Sequence, residues 1–474
     1  MQTLETFEQT LAHIADAGIT AAIELLFLTK KGVAAHLIDV TTHEGVVLRT
    51  GITDNLLSRE RAEEIAPNLR GVHGVVNELL ISTPDVADDE LRHPVASALA
   101  ADPATTDYPV QAAAADGVIT LTGTVQTWAE KELVLRVVRG VRGVRRLVSD
   151  NLLVQWGKIE NLNAQISIQI RELLAWDIRV NSALVEVQTT DRVVHLSGTV
   201  GTAAEKAHVE ATAYQAGATR VEARVLVAYW ALGHELRRDK LATRSDTDIA
   251  QAVRDAFRYD PRVRSSQPLV AVYKGVVTLS GAVPNLRAKQ EAEHDARRIV
   301  GVRDVHNLLK VRTDRFIPDL HIGQTIREAL ARDPHVGQRD FSVYVRNGKA
   351  QLYGQVSSHF EQEQAGTVAS GVNGVAEVDN WVSVPGSLNF DGYQTTARPR
   401  PNPDFALAER IRSRYLWSAS LYNQAIEVLV KNGRATLTGT VATWLDRDTA
   451  ASEAYDAGAQ FVENDLLIDF DYEL

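Results

Sequence analysis

The 474 residues include no cysteine, which excludes disulfides, thiolate metal centres and a cysteine nucleophile together. A hydrophobic share of 45% with 23% charged residues is globular, and no apolar run approaches the ~20 residues a membrane-spanning helix needs; the best candidate, Ile19 to Leu28, is broken by Thr20 and Glu24. The net charge of −11 and the pI of about 5.7 disfavour nucleic acid as a partner.

From the N-terminus, Met1 to Glu8 carries acids where a secretory signal would place a basic region, which predicts a cytoplasmic chain with peripheral membrane contact at most. The first landmark is Gly45-Val-Val-Leu-Arg-Thr-Gly51-Ile52. Closer versions follow at Gly117 to Val125, Arg192 to Val200, Gly275 to Val283, Gly348 to Val356 and Gly433 to Val441. The second glycine of the pattern stands at 51, 123, 198, 281, 354 and 439, so the chain is a six-fold repeat of small domains. The expected division is 1–82 (a divergent first unit), 83–156, 157–229, a basic linker 230–244, then 245–314, 315–385, a Pro/Gly linker 386–403, and 404–474. Units of roughly 70–80 residues sit near the lower limit of independent stability and lean on neighbours.

The fourth unit is the clearest. Asp246 or Asp248 caps a helix whose Ile249, Val253 and Phe257 share one face, and Asp260-Pro261 ends it. Leu269 to Tyr273 and Val277 to Val283 alternate with period two about Lys274-Gly275, an antiparallel hairpin. A second helix starts at Pro284-Asn285, with Leu286, Ala292, Ala296 and Ile299 inward, and Val305 to Val311 closes the unit. Each unit therefore reads α-β-β-α-β. The fold class is α+β: six tandem two-layer domains, each a three-stranded mixed sheet with two helices.

Units three and six share Trp176 and Trp417 at the end of helix one, and Ala213-Tyr-Gln-Ala-Gly-Ala218 with Ala454-Tyr-Asp-Ala-Gly-Ala459. Units one and four both open helix two with Asn-Leu, at Asn55 and Asn285. This predicts a duplicated triplet whose halves are related by a pseudo-symmetry. In unit one, Arg49 stands where the other units have Leu; its apolar set, Val46, Leu48 and Ile52, has the opposite phase, which predicts a bulged strand or a swapped buried face. The repeated second glycine is assigned to close backbone approach or a bulge.

The helix with Asp-x-x-Ile-x-x-x-Val, the Gly-Val-Val-Thr-Leu-Ser-Gly-x-Val core and the closing Gly-Val-x-x-Val-x-Asn-x-Leu-x-Val together resemble the BON domain family of bacteria. The resemblance implies the αββαβ fold, no known catalytic residues and a role at phospholipid surfaces in envelope stress or osmotic protection. Six copies without a signal peptide depart from the usual two in secreted or lipid-anchored members.

No catalytic, metal or cofactor motif is present. His43-Glu44 and His234-Glu235 lack the second histidine of a zincin helix, and neither Gly-x-x-x-x-Gly-Lys-Ser/Thr nor Gly-x-Ser-x-Gly occurs. Trp128 and Trp444 share one slot of the repeat and Trp176 and Trp417 another, which argues for packing; Trp381, in a closing strand, is expected in the core.

Charge carries the functional signal. The net charge is −5 over 1–82 and −6 over 404–474, but +2 over 230–244 and +3 over 245–314. Arg237, Arg238, Lys240 and Arg244 lead into Arg254, Arg258, Arg262 and Arg264, with Arg254 and Arg258 four apart on one helix, and Arg136, Arg139, Arg142, Arg145 and Arg146 form a second cluster. Such clusters either pair with the acidic ends of this or another chain, or contact an anionic membrane surface or another polyanion. A binding protein for anionic lipid, an assembly protein forming homo-oligomers, and a binder of a small ligand between units are the three readings that remain.

Overall fold

The computed structural model describes residues 16–28, 32–33, 35–83, 86–155, 162–228, 244–313, 315–384 and 403–469. Six units follow one another, each with a hairpin, a closing strand parallel to the hairpin's second strand, and two helices on one face. In unit four, helix one (Asp246–Tyr259) precedes strands Leu269–Tyr273 and Val276–Ser280, helix two (Leu286–Arg297) and the closing strand Asp304–Asn307. The hairpin pairs Tyr273 with Val276, and Val277 lies beside Val305 of the closing strand in parallel register. The hairpin turns are two-residue turns with both residues at positive φ, Lys274-Gly275 in unit four and Asp191-Arg192 in unit three, the geometry that matches strand twist.

An acid at the start of helix one holds this turn. Asp16, Asp246, Asp319 and Asp404 each accept hydrogen bonds from both turn amides, at 2.7 to 3.1 Å. Asp246 is therefore a turn clamp. The N-cap of its helix is Ser245, whose hydroxyl accepts from the Asp248 amide. A second recurring brace is the closing-strand asparagine: Asn307, Asn380 and Asn464 each donate from Nδ2 to a carbonyl of helix two, at Lys289, Gln362 and Arg447. In four units the repeated second glycine is a close approach: a Cβ at Gly51, Gly123, Gly198 or Gly439 would sit 1.8 to 2.1 Å from a carbonyl oxygen at the start of the neighbouring strand or just before it.

Two further expectations are overturned, beyond the cap of unit four's first helix, which is Ser245 and not Asp246 or Asp248. The first unit's central strand keeps the common phase, with continuous pairing to both neighbours. Val47 and Thr53 are fully buried and Arg49 is 1% exposed, pointing into the core where Leu279 points in unit four. The strand neither bulges nor turns over, because Arg49 has a polar target inside: its Nη1 donates to the Ala62 carbonyl near the end of the short helix Leu56–Glu63. Trp381 is 63% exposed, on the outer face of unit five's sheet beside its register partner Tyr353. Its neighbour in the strand, Val382, takes the inward position.

The six cores are separate clusters joined by seams that repeat between the halves. The Trp176 carbonyl of unit three accepts from Val300 of unit four at 2.9 Å, and the Trp417 carbonyl of unit six accepts from Arg70 of unit one at 3.1 Å. Trp128 of unit two stacks on Tyr214 of unit three, and His359 of unit five meets Tyr455 of unit six in the same slots. Leu56 of unit one packs on the core of unit two, as Leu286 of unit four packs on that of unit five. These equivalences are the contacts a duplicated triplet makes, and they close the chain on itself, because unit six contacts unit one.

Candidate functional site: clefts between the units

Helix one and helix two of neighbouring units face each other across two large clefts. The first, about 920 Å3, lies between units two, three and four, and the second, about 860 Å3, is bordered mainly by units one, two, four and five. Arg136 and Arg262 line both, so the two clefts meet at these side chains.

The first cleft is acidic. Trp128, Trp176 and Tyr259 line it together with Asp177, Asp260, Glu291 and Asp295. Burial pushes the Asp295 carboxyl well above its usual range and the adjacent Asp260 adds to the effect; Asp260 is raised as well, again chiefly by burial. Burial and mutual repulsion thus disfavour ionising both carboxyls together. Asp177 behaves oppositely. Burial works against its charge, but Arg179, at 2.6 Å, and His208, at 2.8 Å, hold it far below the ordinary carboxylate range.

The second cleft gathers arginines. Arg262 pairs with Asp102 at 2.9 Å and has a side chain only 8% exposed, with its Nε buried and without a partner. Arg139 pairs with Glu60 at 2.8 Å across the seam between units one and two. Arg287 approaches Glu291 only at 3.5 Å; burial lowers its pKa, and the nearby Arg262 and Arg136 lower it further. Burial also lowers Arg332 and His335 and raises Asp333, whose carboxylate accepts from the His335 and Val336 amides and from Gln364.

Arg237, Arg238 and Lys240 lie outside the described residues. Arg244 is exposed, 5.4 Å above the Trp176 ring, and Arg258 is exposed and paired with Asp255 at 2.6 Å, while half-buried Arg254 bonds Gln251. Arg142 and Arg146 are exposed, and Arg145 donates to the Thr83 carbonyl. The two basic clusters of the sequence thus meet at one interface: Arg136 and Arg139 of unit two lie on the same cleft as Arg262 of unit four, and Arg264 reaches the buried Glu130 of unit two at 2.6 Å. Sequence reasoning missed Arg287, Arg332, Asp260 and Asp295 as site residues. The signal available was the triplet alignment, in which Arg287 stands opposite Leu57 and Arg332 opposite Ala101.

Among the described residues no group of His, Asp or Glu is placed to hold a metal ion, and no helix is long and apolar enough to cross a membrane.

The BON domain family profile matches residues 15–83, 87–155, 163–229, 245–313, 318–386 and 403–469. The chain is 32% identical over 141 residues to Osmotically-inducible protein Y of Escherichia coli (strain K12), covering 28% of this chain and 70% of that one. It is 28% identical over 138 residues to Outer membrane lipoprotein DolP of Haemophilus influenzae, covering 28% of this chain and 71% of that one. Among solved structures, the C-terminal domain of CdsD, a structural protein of the Type III secretion system of Chlamydia trachomatis, aligns at 18% identity over 48% of this chain and all of that one, with a TM-score of 0.13.

Proposed function

Because the chain belongs to the BON domain family, with six tandem copies, we propose that it is a non-enzymatic binding protein that docks peripherally on anionic phospholipid surfaces. The observation that supports this reading is the basic edge of unit four, where Arg244 and Arg258 are exposed and Arg254 is half-buried. Arg244 stands just before helix one and Arg258 in its last turn, Arg254 lies between them, and Arg237, Arg238 and Lys240 precede them in the sequence. Each such charge adds about 1 kcal/mol of attraction at an anionic bilayer, so a handful overcomes the acidic character of the whole chain. One relative is named an outer membrane lipoprotein and another osmotically inducible, which fits a role at the envelope under stress.

The test is flotation with anionic and with neutral vesicles at low and high salt, for the intact chain and for Arg254→Glu with Arg258→Glu. Salt-sensitive flotation on anionic vesicles alone, weakened in the variant, is expected. Absence of flotation under every condition would remove lipid as the partner.

A second reading is self-assembly. In every unit the first and closing strands are the edges of their sheet, and the first strands carry exposed Leu269, Tyr273 and Leu429. Light scattering without lipid separates the two: assembly raises mass with concentration, whereas a peripheral binder stays monomeric.

A further inference from the structure

We propose that the cleft bordered by units one, two, four and five binds a small, multiply charged phosphate of the pyrophosphate or tripolyphosphate type, held by Arg136, Arg262, Arg287 and Arg332. This site is distinct from Arg244, Arg254 and Arg258 of the vesicle-docking surface and does not rest on that reading.

The first support is convergence. Arg136 comes from helix two of unit two, Arg262 from the short helix Pro261–Arg264 of unit four, Arg287 from the first turn of helix two of unit four, and Arg332 from the end of helix one of unit five. All four line one cleft of about 860 Å3, a volume in the range of small-molecule sites.

The second support is that the sister packing does without three of these arginines. The cleft straddles the relation between the two triplets, and its lining repeats across it: Ala98 with Ala329, Asp102 with Asp333, Val137 with Val368, Gly140 with Gly371 and Val141 with Val372. Three arginines break that correspondence. Arg136 stands opposite Thr367, Arg332 opposite Ala101, and Arg287 opposite Leu57. The same packing is thus made without an arginine at the sister positions.

The third support is incomplete pairing. Carboxylates are present in the cleft, but Glu60 is engaged by Arg139, Asp102 by Arg262, and Glu63 by Arg59 at 3.1 Å; Glu64 also lines the wall. Asp333 is occupied by loop amides and Gln364. Among the described residues the Arg136 and Arg332 side chains form no hydrogen bond or ion pair, Arg287 has one long contact, and the buried Nε of Arg262 has none. Arg136 is exposed at the edge of the cleft, whereas Arg262 is buried and Arg287 and Arg332 are half-buried, and guanidinium groups left so in a partly desolvated cleft call for an anion. Several planar forks arriving from different directions suit the oxygens of linked phosphates, which one carboxylate cannot satisfy at once.

The experiment is isothermal titration calorimetry of the full chain at constant ionic strength, with pyrophosphate, tripolyphosphate and glycerol phosphate as the soluble equivalent of a lipid headgroup. The variants are Arg136→Thr, Arg332→Ala and Arg287→Leu, which install the residues the sister units already tolerate; circular dichroism checks that each is folded. Expected are one saturable site per chain for pyrophosphate or tripolyphosphate, affinity lower by about tenfold or more in Arg136→Thr and in Arg332→Ala, and no change in Arg254→Glu with Arg258→Glu. Binding that does not saturate, or that the cleft variants leave unaltered, overturns the proposal. Tighter binding of glycerol phosphate than of pyrophosphate overturns the choice of ligand in favour of a headgroup. Vesicle flotation can succeed or fail without affecting any of these outcomes.

Discussion

Units one and four occupy the same place in the two triplets, yet they fill the centre of the sheet differently. In unit four Val277, Leu279 and Val283 form an apolar stripe under helix two. In unit one the corresponding positions are Val47, Arg49 and Thr53, all buried. Helix two is correspondingly short in unit one, Leu56–Glu63, against Leu286–Arg297 in unit four. A shorter helix ends above the sheet, leaves the Ala62 carbonyl inside, and creates the acceptor that Arg49 reaches. Burial pushes the Arg49 guanidinium down to about 10, which still leaves it charged at neutral pH, with Glu63 as the nearest compensation. One fold thus accepts a cation in its core only where a helix end supplies the partner.

The largest effect expected from this contrast comes from moving the arginine. Leu279→Arg in unit four meets no helix end and should cost about 4 kcal/mol or more, enough to unfold that unit. The converse, Arg49→Leu, should change stability by no more than about 1–2 kcal/mol, in either direction, because a buried ion is exchanged for packing while one carbonyl loses its donor. Hydrogen exchange resolved by unit, alongside denaturant unfolding, checks both. A tolerated Leu279→Arg would show that helix length is not what admits the charge.

The glycines give the next contrast. Gly51 and Gly281 have nearly the same φ, +120° and +124°, but a Cβ at Gly51 would lie 2.0 Å from the Leu37 carbonyl oxygen, whereas at Gly281 the nearest backbone atom is 3.9 Å away. Gly51→Ala carries both strain and clash, and should cost about 3 kcal/mol. Gly281→Ala carries the strain alone, at about 1–2 kcal/mol. Equal losses in thermal unfolding would mean that backbone conformation, not the neighbouring strand, decides.

The repeat, the hairpins and the two helices of each unit were legible because they are written in local signals: paired turn residues, period-two strands and capped helices. Arg49 was misread because alternation was judged by residue type, and a long side chain with an internal acceptor obeys the pleat regardless of its charge. Trp381 was misread for the opposite reason: its size suggested the core, although counting along the strand from Val382 places it outside. The clefts were not legible. Arg136 and Arg332 are far apart in sequence and line one cleft only because units two and five face each other, a relation set by seams such as the Arg142 amide donating to the Arg332 carbonyl. Pairing the triplets residue by residue would have flagged Arg287 and Arg332 as departures, without showing that they converge.

A smaller difference between units one and four concerns pH. Asp295 of unit four stands where unit one has the buried Ile65. Burial, with Asp260 beside it, raises the Asp295 carboxyl, so the folded state favours its protonated form. Its stabilising contribution is complete below the ordinary carboxylate pKa and is lost as pH rises through the raised value. Asp295→Asn should therefore leave stability unchanged near pH 3 and raise it by about 1–3 kcal/mol at neutral pH. Melting temperatures measured from pH 3 to 8 test the sign; a variant weakened at neutral pH, and less so toward pH 3, would mean that the carboxylate is held charged, by Arg298 at 3.4 Å.

The smallest effect expected lies at the seams. Units one and two are joined by the ion pair of Glu60 with Arg139, whereas the corresponding positions in units four and five are Gln290 and Ser370, and that seam uses Asn285, whose Nδ2 donates to the Gly371 carbonyl at 2.6 Å. Both partners of the ion pair are about one third exposed, so water and salt screen it. Arg139→Ser, which installs the residue of unit five, should then cost less than about 1 kcal/mol, and the loss should vanish in high salt. Asn285→Ala should cost about 1–2 kcal/mol irrespective of salt, since it removes both the cap of helix two and the bond across the seam. If Arg139→Ser proved the more damaging of the two, the seam between units one and two would be held by charge and not by Leu56 seated on the core of unit two.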